Sequence, residues 1–246
     1  GIGLYLDWIG DEAKAQVATY TDIVAYLNYL RQADRKPRTI SNYLFAVKLY
    51  YRWLQQSGQR EDHPCARLIL RDLVDRSVRM DKLYAAEQLQ ELAEEKWANP
   101  RNRIIVGLLV HQALMVSEVV ALLVGDIDLT VGEIYVGQSV SNRARKLPLL
   151  AGQVLELQVL ITGRSPAEHL ILTRYGKALQ GSSISRIINS RRLKDHRFLP
   201  SRIRQSVIAH KLQAGHDTRI VQAFAGHRQL STTEGYKQDE LERLRA

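Results

Sequence analysis

At 246 residues the chain has room for one large domain or two ordinary ones, with 45% apolar residues to build cores. Its 35 basic residues outnumber 26 acidic ones, giving a net charge of +9 and an isoelectric point near 9.7. A polyanionic partner is the simplest explanation, nucleic acid ahead of an anionic membrane. The single cysteine, Cys65, excludes an intramolecular disulfide and points to an intracellular setting. The longest apolar run, Ile104 to Val116, is interrupted by His111-Gln112 and is too short to span a bilayer. No signal peptide is visible, and the chain opens at Gly1 without Met, as expected where the start is processed or missing.

In chain order, Thr21-Asp22 can cap a helix carrying Ile23, Tyr26, Leu27 and Leu30, the i, i+3, i+4, i+7 stripe of an amphipathic helix. Lys36-Pro37-Arg38-Thr39 breaks it, with Thr39 as the next N-cap. The following helix places Ile40, Tyr43, Leu44, Val47 and Leu54 on one face and Ser41, Lys48, Arg52 and Gln55 on the other. Gly58 ends it and His63-Pro64 turns the chain. The result is a small all-helical domain over residues 1–75, with Lys36, Arg38, Lys48 and Arg52 along one side. Charge-rich residues 67–84 lack a period and read as a linker, set at 76–84 before a second domain over 85–246. Glu87 to Glu95 resumes helical spacing, and Ile104 to Leu114, apolar nearly all round, predicts a buried central helix. Asp126 to Leu129 leads into a strand at Glu133 to Val136. The polar turn Ser141 to Arg145 then joins it to a partner over Lys146 to Leu149, giving a strand pair with a basic tip. Leu170-Ile171-Leu172 suggests a further strand before a turn at Tyr175-Gly176-Lys177, and Arg191-Arg192-Leu193-Lys194 adds a basic cluster. The fold class is therefore mainly α: a helical N-terminal domain plus a mixed α+β domain with a small antiparallel sheet.

The C-terminal stretch carries the strongest pattern. Arg204 opens a helical run with Val207, Ile208 and Leu212. Gly215 is a stop and Asp217 an N-cap, Gly226-His227 follows the next apolar segment, and Ser231-Thr232-Thr233-Glu234 has the form of a capping box. That box predicts a helix from near Thr232, with Tyr236 in its second turn. An Arg, a His and a Tyr spread over such a stretch of a basic protein do not make a site on their own. Arg204-x22-His227-x8-Tyr236 goes further, with Gln213, Ala214, Gly215, Asp217, Val221 and Gln222 between them in register. It resembles the C-terminal box of the tyrosine recombinase (phage integrase) family. RTISNYLFAVKLYYRWLQQSG, from Arg38, followed by His63-Pro64, looks like that family's core-binding domain.

The resemblance implies a DNA strand-transfer chemistry. A tyrosine hydroxyl attacks a backbone phosphate, leaving a 3′-phosphotyrosyl link and a free 5′-OH. Arginines and histidines hold the non-bridging oxygens as charge builds up there, and a hairpin lysine donates the leaving-group proton. No cofactor or metal is implied. Tyr236 matches the nucleophile, Arg204 the second arginine and His227 the last histidine. The rest departs from the family. In Ala113-Leu114-Met115-Val116-Ser117-Glu118-Val119, Met115 stands where the pattern G-L-R-I/V-S-E-L/V has its first arginine. Ser201 replaces the histidine of P-H-x-L-R, Gln205 follows Arg204, and the hairpin position holds Arg143, with Lys146 three residues out of register. Arginine binds phosphate well but is a poor proton donor. Losing one preorganised oxyanion donor costs about a hundred- to a thousand-fold in rate, and losing a general acid about a hundred- to ten-thousand-fold.

Two readings follow from the resemblance. One is a DNA-binding relative involved in site-specific recombination or integration, with weak or absent strand cleavage. The other is an active recombinase in which Arg202, Arg228 or Lys146 compensates for the missing clamp. A third, from another class, is a helical interaction protein whose charge is incidental. The DNA-contacting set implied is Lys36, Arg38, Lys48, Arg52, Arg191, Arg192, Arg202 and Lys146. The expected partners are double-stranded DNA and further copies or related subunits on it, with no membrane and a cytoplasmic, nucleoid-associated location in a prokaryote. Family members pass a C-terminal tail to a neighbour; Lys237 to Ala246 is short for that exchange.

Overall fold

The computed structural model describes residues 2–70, 78 and 80–237, and its chain divides into two compact units, Gly1–Asp75 and Arg76–Ala246. Residues 71–77 and 79 of the charge-rich stretch 67–84, and the tail after Lys237, lie outside the described residues.

The first unit contains helices α1 (Ile2–Ile9), α2 (Glu12–Val17), α3 (Tyr20–Gln32) and α4 (Pro37–Gln56). In α3 the buried residues are Ile23, Tyr26, Leu27 and Leu30, the stripe that the spacing predicts. Its cap lies earlier than Thr21-Asp22. Thr19 is the N-cap, and its amide and hydroxyl both donate to the Asp22 carboxylate at 2.7 Å. Asp22 thus acts from inside the first turn, where a carboxylate also meets the positive end of the helix dipole. Helix α4 likewise starts before Thr39. Pro37 takes the first position, where its missing N–H costs nothing, and Lys36 is the N-cap. Ile40, Leu44, Val47, Tyr51 and Leu54 of α4 are buried against Tyr5, Tyr26 and Leu30, and Tyr43 is half-buried. The hydroxyls of Tyr5 and Tyr51 bond at 2.5 Å, and Tyr51 donates to the Ala15 carbonyl at 2.9 Å, so these phenols enter the core with their polar ends satisfied.

The second unit runs α5 (Ala86–Glu94), α6 (Pro100–Val110), α7 (Val116–Ala121), β1 (Ile127–Asp128), β2 (Glu133–Val136), β3 (Arg145–Pro148), α8 (Ala151–Ile161), α9 (Gly181–Ile188), α10 (Pro200–Gln213), α11 (Thr218–Ala225) and α12 (Leu230–Glu234). Helix α6 is the hub: Ile104 to Val110 are all buried, and α5, α7, α8, α9 and α10 pack on it. The three strands form one antiparallel sheet in the order β1-β2-β3, with Ile134 opposite Leu147 and Val136 opposite Arg145.

Two expectations fail here. Leu170-Ile171-Leu172 is not a strand. Its edges make only isolated bridges, His169 with Leu123 and Leu172 with Ala178, while Leu170 and Ile171 are buried in the core and Leu172 is half-buried. The capping box at Ser231 does not form, because α12 starts at Leu230 with Gln229 as its N-cap. The Ser231 carbonyl already accepts the Gly235 amide at 3.1 Å, so Tyr236 lies just past the helix rather than in its second turn. Among the described residues no helix is long and apolar enough to cross a membrane.

Candidate functional site

Residues from four segments of the second unit meet near the ends of α10 and α11. Arg204 sits in the second turn of α10, not at its start, on a face otherwise lined by Ile203, Val207 and Ile208. It is only 7% exposed. Its guanidinium donates to the Ala113 and Ala225 carbonyls, each at 2.5 Å. Ala113, in the bend between α6 and α7, adopts φ 51°, left-handed backbone uncommon for a residue with a Cβ. Ala225 closes α11, whose cap Asp217 accepts from the Arg219 and Ile220 amides as its spacing predicts.

After α11 the chain reverses at Gly226, with φ +72°. A Cβ there would lie 2.7 Å from the Arg145 guanidinium and 3.0 Å from the Arg143 carbonyl, so glycine is required by space as well as by conformation. The Gly226 carbonyl accepts the Arg143 amide at 2.8 Å, and Asn142 bridges to His227. These contacts fasten the β2–β3 connection to the histidine. His227 Nδ1 shares a 2.9 Å hydrogen bond with the Thr233 hydroxyl. The Tyr236 ring lies parallel to the imidazole, centroids 6.3 Å apart at 16°, and packs on Ile208, Leu212, Val221 and Ala225. Arg204, His227 and Tyr236 are thereby brought to one place.

A residue outside the predicted set completes the centre. Arg145, the first residue of β3, points inward and grips Glu118 of α7 with two hydrogen bonds, 2.8 and 3.0 Å. Glu118 also accepts from Asn142 Nδ2 at 2.8 Å and from the Met115 amide at 2.8 Å, and lies 3.7 Å from Arg204. The sequence placed Arg145 in the polar turn, yet it shares parity with Leu147, and alternation alone puts both on the buried face.

Electrostatics follow from this packing. Burial pushes the Glu118 carboxyl up, but hydrogen bonds from Arg145, the Met115 amide and Asn142 outweigh it and hold the group below its ordinary range. Burial, aided by the charges of Arg204 and Arg145, pushes His227 down to about 4, so the ring is neutral at pH 7. Burial raises the Tyr236 phenol, and the Arg204 charge pulls the other way, which leaves it protonated at neutral pH. Two guanidiniums, one carboxylate and a neutral imidazole leave a net positive charge in a buried place. An anion entering there would gain a cationic field at low dielectric, beside a hydroxyl able to attack it once deprotonated.

The other predicted residues are placed as follows. Met115 is the half-buried N-cap of α7, directly beside Glu118. Ser201 is exposed in the first turn of α10, and Gln205 is half-buried. Arg143 is exposed and donates to the Arg228 carbonyl at 3.1 Å. Lys146 points outward, 3.8 Å from Glu133 on the neighbouring strand. Arg192 is occupied within the unit: it pairs with Glu95, donates to the Ile188 carbonyl, and lies over Phe198. Arg202 lies over the Tyr84 ring at 5.4 Å, and Arg191 is exposed after α9. In the first unit Lys36, Arg38 and Arg52 are exposed, while the Lys48 ammonium donates to the Ala66 carbonyl at 3.0 Å. Among the described residues no group of three or more His, Cys, Asp and Glu side chains could hold a metal ion.

Comparison with known proteins agrees with this architecture. The phage integrase family pattern matches residues 82–243. The tyrosine recombinase XerC of Chromobacterium violaceum is 30% identical over 234 residues, covering 91% of this chain and 77% of that protein. Among solved structures, the XerH site-specific recombinase bound to palindromic difH substrate superposes with a TM-score of 0.64 at 20% identity, covering 93% of this chain and 71% of that one. The Tn1549 transposon integrase in complex with transposon right end DNA gives 0.61 at 18% identity, with coverage of 94% and 86%.

Proposed function

Because this chain belongs to the phage integrase family of tyrosine recombinases, we propose that it binds double-stranded DNA and acts in site-specific recombination, with strand cleavage weak or absent. The observation that carries the reading is Met115. It occupies the cap of α7 beside the Glu118–Arg145 pair, where a donor to a phosphate oxygen belongs, and methionine offers neither charge nor N–H. The two guanidiniums that remain are partly committed, Arg145 to Glu118 and Arg204 to two backbone carbonyls. They hold the scaffold of an anion site but leave one side of the anion without a partner. Loss of one such donor lowers rate by about a hundred- to a thousand-fold.

In this reading the basic surface binds the duplex, drawn by phosphate neutralisation and therefore weakened by salt. Tyr236 is the nucleophile, forming a phosphorus–oxygen bond as the 5′-oxygen of the scissile phosphate leaves. Arg204 and Arg145 stabilise the charge on the non-bridging oxygens, and His227, neutral at pH 7, hydrogen-bonds one of them. Arg143 stands nearest the role of proton donor to the leaving oxygen, and its guanidinium gives up a proton reluctantly.

A second reading, full recombinase activity, is favoured by the convergence of Arg204, His227 and Tyr236 alone. Its compensating candidates are placed poorly for it: Arg202 lies over Tyr84, Arg228 donates to the Ser139 carbonyl at 2.8 Å, and Lys146 faces outward. The two separate on a nicked suicide duplex. Little or no covalent protein–DNA adduct from a protein that still shifts DNA supports the first. Rapid adduct formation, abolished in Tyr236→Phe, supports the second.

A further inference from the structure

Helix α8 is packed on one side only. Its inner face is settled: Leu157 is buried, Gln153 exchanges hydrogen bonds with Gln112 at 2.9 and 3.0 Å, and Glu156 pairs with Arg103 at 2.8 Å. The outer face carries Ala151, Gly152, Leu155, Gln158, Val159 and, at the C-cap, Thr162, all of them exposed. None of the six is charged, in a chain where 25% of residues are. Leu155 and Val159, one turn apart, are 67% and 80% exposed, and Leu150 and Val131 are also more than half exposed. Leu150 is the N-cap of α8, and Val131 adjoins Gly132, where a Cβ would lie 3.8 Å from Val154 of the same helix. These four residues expose on the order of 500 Å² of apolar surface, a patch size that calls for an explanation on a lone soluble chain. The helix supplies none of the residues gathered around Arg204, so that centre does not explain it.

Charge and shape together select the occupant. Each chain carries a net charge of +9, so two copies repel over most of their surfaces and approach closely only where charge is absent. The outer face of α8 is such a place. Its first turn holds the small residues Ala151 and Gly152, and the bulky Leu155 and Val159 follow in the next two. A second copy turned end for end about Leu155 sets each Val159 over Ala151 and Gly152 of the other chain, while the two Leu155 side chains meet on the axis. A two-fold contact requires this kind of self-complementarity. The patch is smaller than the roughly 800 Å² per partner of a standard interface, so the pairing is weak and reversible.

We propose that two copies of this chain pair through the outer face of α8, antiparallel about Leu155, without DNA. The pairing uses no residue of the strand-transfer centre and stands apart from the DNA-binding reading above.

The experiment uses the full chain. Sedimentation equilibrium without DNA should give a monomer–dimer equilibrium with a dissociation constant of about 10–100 μM. Raising the salt from about 0.1 to about 0.5 M should tighten it, because salt screens the repulsion between like-charged copies. DNA binding should respond with the opposite sign. Leu155→Arg and Leu155→Glu should each weaken pairing by about ten-fold or more, and an equal mixture of the two should restore it, because position 155 meets itself. Leu155→Cys should give a disulfide-linked dimer under mild oxidation, while the parent, whose Cys65 is buried, should not. Because Leu155 is exposed, the variants should keep the parent's circular dichroism and melting point. A chain that stays monomeric to about 300 μM at both salt concentrations overturns the proposal, as does self-association that survives Leu155→Arg. A chain that shifts DNA but does not pair overturns this inference and leaves the DNA-binding reading standing; one that pairs but binds no duplex does the reverse.

Discussion

Replacing Glu118 by glutamine removes the one negative charge from the buried centre while keeping its size. The carboxylate takes two hydrogen bonds from Arg145, one from Asn142 and one from the Met115 amide, and is 5% exposed. The amide leaves Arg145 and Arg204 as unpaired cations in the interior. Breaking a buried pair in this way costs about 3–5 kcal/mol, because the surviving charge stays desolvated. For a domain of this size each kcal/mol lowers the melting point by about 2–4 °C. The midpoint of the second unit should therefore fall by about 10 °C, read by circular dichroism and by urea denaturation. The double variant Glu118→Gln/Arg145→Met removes the stranded guanidinium too and should recover much of the loss. The sign with pH is fixed by the depressed carboxyl: its stabilisation is present above the unfolded value of 4.5 and disappears as pH falls through the folded one. Parent and Glu118→Gln should thus converge in acid. A single variant within 1 kcal/mol of the parent, or a double variant worse than the single, would refute the idea that this ion pair organises the centre.

Three further outcomes are expected. His227 is held near 4 in the folded chain against 6.5 when unfolded, so protons favour unfolding, and stability should decline between pH 6.5 and pH 4 by about 3 kcal/mol; urea titrations at pH 7 and pH 4.5 should show a smaller decline for His227→Asn, and an identical decline would count against the assignment. Gly226→Ala meets both left-handed backbone and the Arg145 guanidinium and should cost at least about 1–2 kcal/mol, whereas Gly163→Ala, also at positive φ but with open space around it, should cost less. Thr233→Val removes the hydroxyl that steadies His227 Nδ1 and should cost about 1 kcal/mol in stability, with reduced adduct formation on a suicide duplex; unchanged values for both would leave that hydrogen bond without a role.

The parts of the fold legible in the sequence are those governed by one periodicity. The stripes of α3 and α4, the apolar run of α6 and the Asp217 cap each depend on residues within a few turns, and local spacing describes them well. Where two local signals competed, the sequence misled. Ser231 has the letters of a capping box, but Thr233 is drawn to His227 and the helix begins two residues earlier than the box predicts. Leu170 to Leu172 has strand composition, yet among the described residues its pairing stops at isolated bridges on either edge. The convergence of Arg204, His227 and Tyr236 came from the family pattern rather than from physics. The Glu118–Arg145 pair was missed because it joins an α-helix to a strand 27 positions on, and such pairing leaves no local trace beyond the inward parity of Arg145.

The proposal that Met115 stands in place of a phosphate-binding arginine is tested most directly by supplying one there. Single-turnover adduct formation on a nicked suicide duplex, measured for the parent and for Met115→Arg, should rise by about a hundred-fold or more, and the adduct should vanish when Tyr236→Phe is added. Equal rates for parent and Met115→Arg, whether both fast or both nil, would contradict the account.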